Sequence, residues 1–97
     1  MILVTKKDNY ISISGHALYD DYGKDIVCSA VSSIVITTIN GILAIDKDAI
    51  AIDTGKQIEI EIKKSDKVTL ILINNMMNLL NELSMQYPKN IKIKEGV

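Results

Sequence analysis

The chain predicts an α+β fold in the order ββαββαβ, with a mostly antiparallel sheet and two packed helices. Three observations carry this expectation. Gln57 to Lys63 sets Ile58, Ile60 and Ile62 against Glu59, Glu61 and Lys63, the alternation of a half-buried strand. Ile26 to Ile45 spaces its apolar residues as a helix buried nearly all round would: 26 and 30, then 27, 31 and 34, then 39, 42 and 43. Leu72, Met76, Leu79, Leu80 and Leu83 form an apolar stripe on a second helix that ends before Pro88.

In chain order, Ile2 to Lys6 reads as a short strand, and Lys7-Asp8-Asn9 is a turn signal. Tyr10 to Ser14 alternates, Ile11 and Ile13 on one face and Ser12 and Ser14 on the other, so the same parity puts His16 on the polar side. Gly15 permits a bend at the strand end. Ala17 to Lys24 is a polar loop containing Tyr19, Asp20, Asp21, Tyr22 and Gly23. Asp25 reads as a helix N-cap, which makes Cys28 the third residue of the first turn. Ile34 to Ile39 is β-branched and would pass for a strand on propensity; the wider spacing favours one long helix. Gly41 inside that helix costs about 1 kcal/mol relative to Ala and is expected to mark close packing. Ala49 to Asp53 is a strand, Thr54-Gly55-Lys56 a hairpin turn, and Ser65 or Asp66 caps the second helix, which runs to about Gln86. The residue before Pro88 avoids helical geometry. Ile91 to Lys94 is the last strand, and residues 1–97 read as one domain without linker or repeat.

Composition narrows the function classes. Of 97 residues 47% are hydrophobic, with no Trp and no Phe, so the core is aliphatic. That is more apolar material than a small monomer hides easily, and a C2 homodimer is expected. The net charge is -1, and Lys89, Lys92 and Lys94 form only a loose cluster. Direct nucleic-acid binding is disfavoured. A single cysteine excludes an internal disulfide and fits a cytoplasmic location. The apolar start at Met1 to Val4 is too short for a signal peptide, and charges follow it. No apolar run is read as membrane-spanning, so no membrane partner is expected. The lone His and Cys, even with Asp20, Asp21 and Asp25, lack a metal-ligand spacing, and neither metal nor cofactor is expected.

The candidate chemistry lies between residues 15 and 32. A thiol attacks as the thiolate, which a helix N-terminus favours and apolar neighbours such as Ile26, Val27 and Val31 oppose. Cys28 is thus either a nucleophile or a small buried hydrophobe. His16 is either its base or a surface histidine at a strand end. Asp25 either caps the helix or orients His16, and one carboxylate can do both. If it caps residue 28, that N–H is less free to serve an oxyanion. Ser32, one turn beyond Cys28, contacts reacting groups or bonds back to the carbonyl of residue 28. Tyr19 and Tyr22 are loop residues or walls of a peptide groove.

Gly15-His16-Ala17 followed by Gly23-Lys24-Asp25-Ile26-Val27-Cys28-Ser29-Ala30-Val31-Ser32 resembles the Prp family, the ribosomal-processing cysteine proteases of bacteria. A looser likeness continues through Thr38-Ile39-Asn40-Gly41-Ile42 and Gln86-Tyr87-Pro88, so it covers nearly the whole chain. Ser29 is the departure, since the family usually has alanine after the cysteine. The resemblance implies a homodimeric Cys–His endopeptidase with Cys28 as nucleophile and His16 as general base. Asp25 and Ser32 would be supporting active-site residues, and Gly15 a hinge before a mobile loop at 17–24 that substrate binding moves, bringing His16 and Cys28 into register. The implied substrate is the N-terminal extension of a large-subunit ribosomal protein, the twenty-seventh, cut after an aromatic pair. The competing expectations are a non-catalytic, ribosome-associated dimer of the same fold and, less in keeping with the charge, an RNA-binding module.

Overall fold

A computed structural model describes residues 1–16, 18, 20–21 and 25–96. Its elements are β1 (Ile2–Lys7), β2 (Tyr10–Ser14), α1 (Ile26–Ile45), β3 (Ile50–Asp53), β4 (Ile58–Ile62), α2 (Lys67–Gln86) and β5 (Ile91–Glu95). This is the expected order, with strand ends shifted by a residue at most. The strands form one sheet in the order β3-β4-β2-β1-β5. Three neighbouring pairs are antiparallel; β5 lies parallel to β1, because the chain returns to the sheet through α2.

One face of every strand turns inward. Ile2, Val4, Ile11, Ile13, Ile50, Ile60, Ile62 and Ile91 join Val27, Val31, Val35, Ile39 and Ile42 of α1 and Ile73, Met76, Met77 and Leu80 of α2 in a single core. Both helices therefore cover the same sheet face, and they touch each other. The opposite face carries the polar partners of the alternation: Tyr10, Ser12 and Ser14 on β2, Glu59 and Glu61 on β4.

The helices depart from expectation in four respects. First, α1 is buried along one seam rather than all round, and Ile26, Ile36 and Ile45 stand exposed. Second, nothing lies within 4 Å of a Cβ built at Gly41, so that glycine marks no close packing in this chain. Third, the buried arc of α2 is Thr69, Ile73, Met76, Met77 and Leu80; Leu72 and Leu83 are half-buried, and Leu79 is exposed. The apolar arc of α2 is wider than its contact, and the sheet selected the line through Ile73 and Met77. Fourth, α1 is long and apolar enough to cross a membrane by length and composition, with a mean hydropathy of 2.0. Its Ser, Thr, Asn and Gly residues interrupt the apolar run without adding charge. Here the seam Val27 to Ile42 packs on the sheet, while the rest of the helix surface is only partly covered. Asp66, not Ser65, caps α2, its Oδ1 accepting from the Thr69 N–H at 2.8 Å.

At the other end of α1, Asp46 is the C-cap. Its Oδ1 accepts from the Asp48 N–H, and its Oδ2 accepts from Lys64 Nζ at 2.8 Å, tying the helix end to the segment after β4. The Lys64 ammonium holds the Asp46 carboxyl below its usual range, and Asp46 in turn raises Lys64. The depressed Asp46 value makes its contribution to stability complete above the unfolded carboxylate pKa and lost as pH falls through the folded one. The urea midpoint of the protein should fall on acidification from about pH 6 to pH 2, and Asp46→Asn should remove part of that slope.

The two described glycines nearest the helices and site behave oppositely. Gly15 has φ +85°, and a Cβ there would collide with the Met1 carbonyl oxygen. Gly15→Ala should destabilise by on the order of 2 kcal/mol. Gly41→Ala should stabilise by about 0.5–1 kcal/mol. Urea denaturation of the two variants beside the parent checks both signs.

Candidate active site

The site forms where the end of β2 meets the start of α1. Strand β2 enters through Ile13, buried, and Ser14, then turns at Gly15. The positive φ of Gly15, pressed against the Met1 carbonyl, directs the chain off the sheet and leaves His16 exposed. From the other side α1 starts at Asp25. Its carboxylate Oδ1 accepts from the Val27 N–H at 3.0 Å and the Cys28 N–H at 2.9 Å, and its carbonyl accepts from the Ser29 N–H at 3.1 Å. Asp25 is buried, at 9% exposure, so the cap is sheltered from water. Val27 and Val31 sink into the core and roll the helix so that Cys28 comes up half-buried at the edge of the sheet.

Two pockets meet at this edge. The larger, about 480 Å³, is lined by His16, Leu18, Asp20, Asp25, Cys28, Ser29 and Ser32. The smaller, about 260 Å³, shares His16, Cys28 and Ser32 with it and continues past Ile58 to Lys56 and Gln57. The shared residues make a ridge between the pockets. Cys28 and Ser32, one turn apart, form its helical side, and His16 its strand side.

The structure thus brings His16, Cys28, Asp25 and Ser32 to the lining of one pocket. Asp25 takes the capping role. The side-chain bond back along α1 is made by Thr38, whose Oγ1 donates to the Ile34 carbonyl at 2.8 Å, while Ser32 stands exposed on the ridge. Tyr19, Tyr22 and Gly23 lie outside the described residues, as do Ala17 and Lys24. Leu18 is 78% exposed in a left-handed conformation, φ 56°, an uncommon state for leucine. Sequence reasoning missed Ser29 as a lining residue, and it missed Lys56 and Gln57 altogether. Nothing local marks those two, since they lie at the end of a hairpin turn and just beyond it, far along the chain. Among the described residues no three His, Cys, Asp or Glu side chains gather as a metal site would need.

Comparison with known proteins shows the family of this chain. The family model described as "Cysteine protease Prp" matches residues 1–92. The ribosomal processing cysteine protease Prp of Mycoplasma genitalium is 30% identical over 98 residues, covering 98% of this chain and 96% of its own. The protein of the same name from Staphylococcus aureus is 24% identical over 87 residues, covering 86% and 82%. The crystal structure of the S. aureus ribosomal processing protease Prp with a covalently linked product peptide has a TM-score of 0.87 to this chain. It is 25% identical, with 98% and 99% of the two chains covered. The same protease with a substrate peptide, at 22% identity and a TM-score of 0.77 over 97% and 96%, shares the fold.

Asp25→Ala should lower stability by about 1 kcal/mol, since two N–H groups of the first turn lose their acceptor. Asp25→Asn, an equally good cap, should restore most of it. Urea unfolding of both variants separates the cap from the charge.

Proposed function

This chain belongs to the cysteine protease Prp family, and from that membership we propose that it removes the N-terminal extension of a large-subunit ribosomal protein, the twenty-seventh. It does so in the cytoplasm, as a homodimer, by Cys–His catalysis. As a member of this family it is a cysteine peptidase. The observation that carries the finer reading is the ridge: the only cysteine and the only histidine of the chain line the same two pockets. The exposed isoleucines of α1 support self-association.

In this mechanism the Cys28 thiolate attacks the scissile carbonyl carbon, forming the C–S bond of a tetrahedral intermediate. His16, protonated, gives its proton to the leaving nitrogen as the C–N bond breaks, and a thioester to Cys28 remains. Neutral His16 then takes a proton from water, whose oxygen displaces the sulfur and releases the new carboxylate. The Cys28 N–H is bonded to Asp25, so the oxyanion draws its donors from elsewhere. Ser32, on the ridge and one turn from the thiol, is the hydroxyl placed to serve it. Asp25 is a positioning residue that holds the turn bearing Cys28.

A synthetic peptide spanning the host's own extension should be cut at one bond by the wild-type protein. Cys28→Ala and His16→Ala should each lower kcat/KM by about 10³-fold or more. Ser32→Ala should lower kcat by about 10²-fold with little change in KM, the mark of an interaction made in the transition state. Mass spectrometry of the fragments and steady-state kinetics read both. An uncut peptide with a well-folded wild-type protein would overturn the reading and favour the non-catalytic dimer.

A further inference from the structure

Gln57 stands just past the β3–β4 turn, apart from the groups that carry out the cleavage. Its carboxamide Nε2 donates to Ser12 Oγ at 3.1 Å and to Glu59 Oε1 at 3.0 Å. A carboxylate only accepts, so the bond to Glu59 fixes which end of the amide is nitrogen. Two bonds use both of its hydrogens. The oxygen, Oε1, accepts no bond among the described residues.

The clamp is itself held. Ser12 and Glu59 face each other across β2 and β4. The Glu59 carboxylate near Tyr10 raises the tyrosine pKa above its ordinary value. The Glu59 charge behind the amide polarises it and strengthens its oxygen as an acceptor. Gln57 is half-buried and has already lost its side-chain freedom in the unbound protein. It lines the 260 Å³ pocket together with Cys28, His16 and Ser32. An amide oxygen held in the wall of a pocket that contains the nucleophile is placed to receive an N–H. An extended peptide offers one at every backbone position.

We propose that Gln57 is a substrate-binding residue: its Oε1 accepts a backbone N–H of the substrate peptide where that peptide crosses the smaller pocket. The inference rests on the protease reading above, and it assigns the smaller pocket to one flank of the cut bond. Lys56 beside it offers only donors and does not compete for this role.

The test is a double cycle. A set of extension peptides, each N-methylated at one backbone position near the cut, lacks one N–H at a time. Kinetics are measured on wild type and on Gln57→Met, which keeps the length and loses the amide; Gln57→Ala replaces it if that variant does not fold. With wild type, methylation at one position should raise KM about five- to tenfold with kcat nearly unchanged. With Gln57→Met the unmodified peptide should already show that increase, and the same methylation should add nothing. Effects that multiply at every position would overturn the proposal. The same peptides are titrated against Cys28→Ala and Cys28→Ala/Gln57→Met, and the Kd values read the contact without cleavage. Coupling in Kd without cutting by wild type keeps Gln57 and removes the protease reading. Cutting without coupling removes Gln57 and keeps the protease. Peptides that neither bind nor are cut overturn both.

Discussion

A single carboxylate oxygen sets the position of the reactive thiol. Asp25 Oδ1 takes the Val27 and Cys28 N–H groups together and closes the first turn of a helix with no acidic residue in its first turn and no basic residue in its last. Without charge pairing along the axis, α1 depends on this cap and on its seam of valines and isoleucines against the sheet. The cap fixes the height of Cys28, and the seam fixes its rotation. The same bond has a chemical consequence. It occupies the backbone donor nearest the sulfur. In this protein the local stability of a helix end and the layout of an active site are one problem.

The second half of the site depends on a close backbone approach. Gly15 leaves the sheet with a positive φ against the Met1 carbonyl. Antiparallel pairing of Leu3 with Ser14 holds that approach. Strand β1 is in turn secured by β5, whose pairing brings the C-terminal end of the chain into support of the histidine. The site therefore draws on the start, the middle and the end of the sequence, although its reactive residues lie close together in the chain.

The two flanks of the ridge differ in character. The larger pocket has Leu18 on its rim and the acidic Asp20 and Asp25 beside it. The smaller is walled by core residues Ile2, Ile13 and Val31 and ends in Lys56 and Gln57. Peptide discrimination on such a surface comes from filling one flank and satisfying fixed polar groups on the other. The Glu59–Gln57–Ser12 hydrogen bonds continue that polar flank over the open face of the sheet.

What the sequence determined by itself is what short-range physics encodes. Alternation placed β2 and β4, and parity alone put His16 on the polar side. The spacing around Asp25 and Cys28 defined a capped turn, because a cap spans three residues. The whole element order followed from such signals, including a long helix whose β-branched middle argues for a strand. The tertiary structure decided what depends on one element meeting another. The burial of Ile73 and Met77 rather than Leu79 was set by the angle at which α2 meets the sheet. The need for glycine at 15 arises from a carbonyl belonging to residue 1. Gln57 reads in the sequence as one more polar residue on an alternating strand. One of the two bonds that hold its amide comes from Ser12, 45 residues earlier, which β2–β4 pairing brings alongside. Periodicity and capping are written within a few residues, whereas a pocket needs the approach of segments that no local pattern connects.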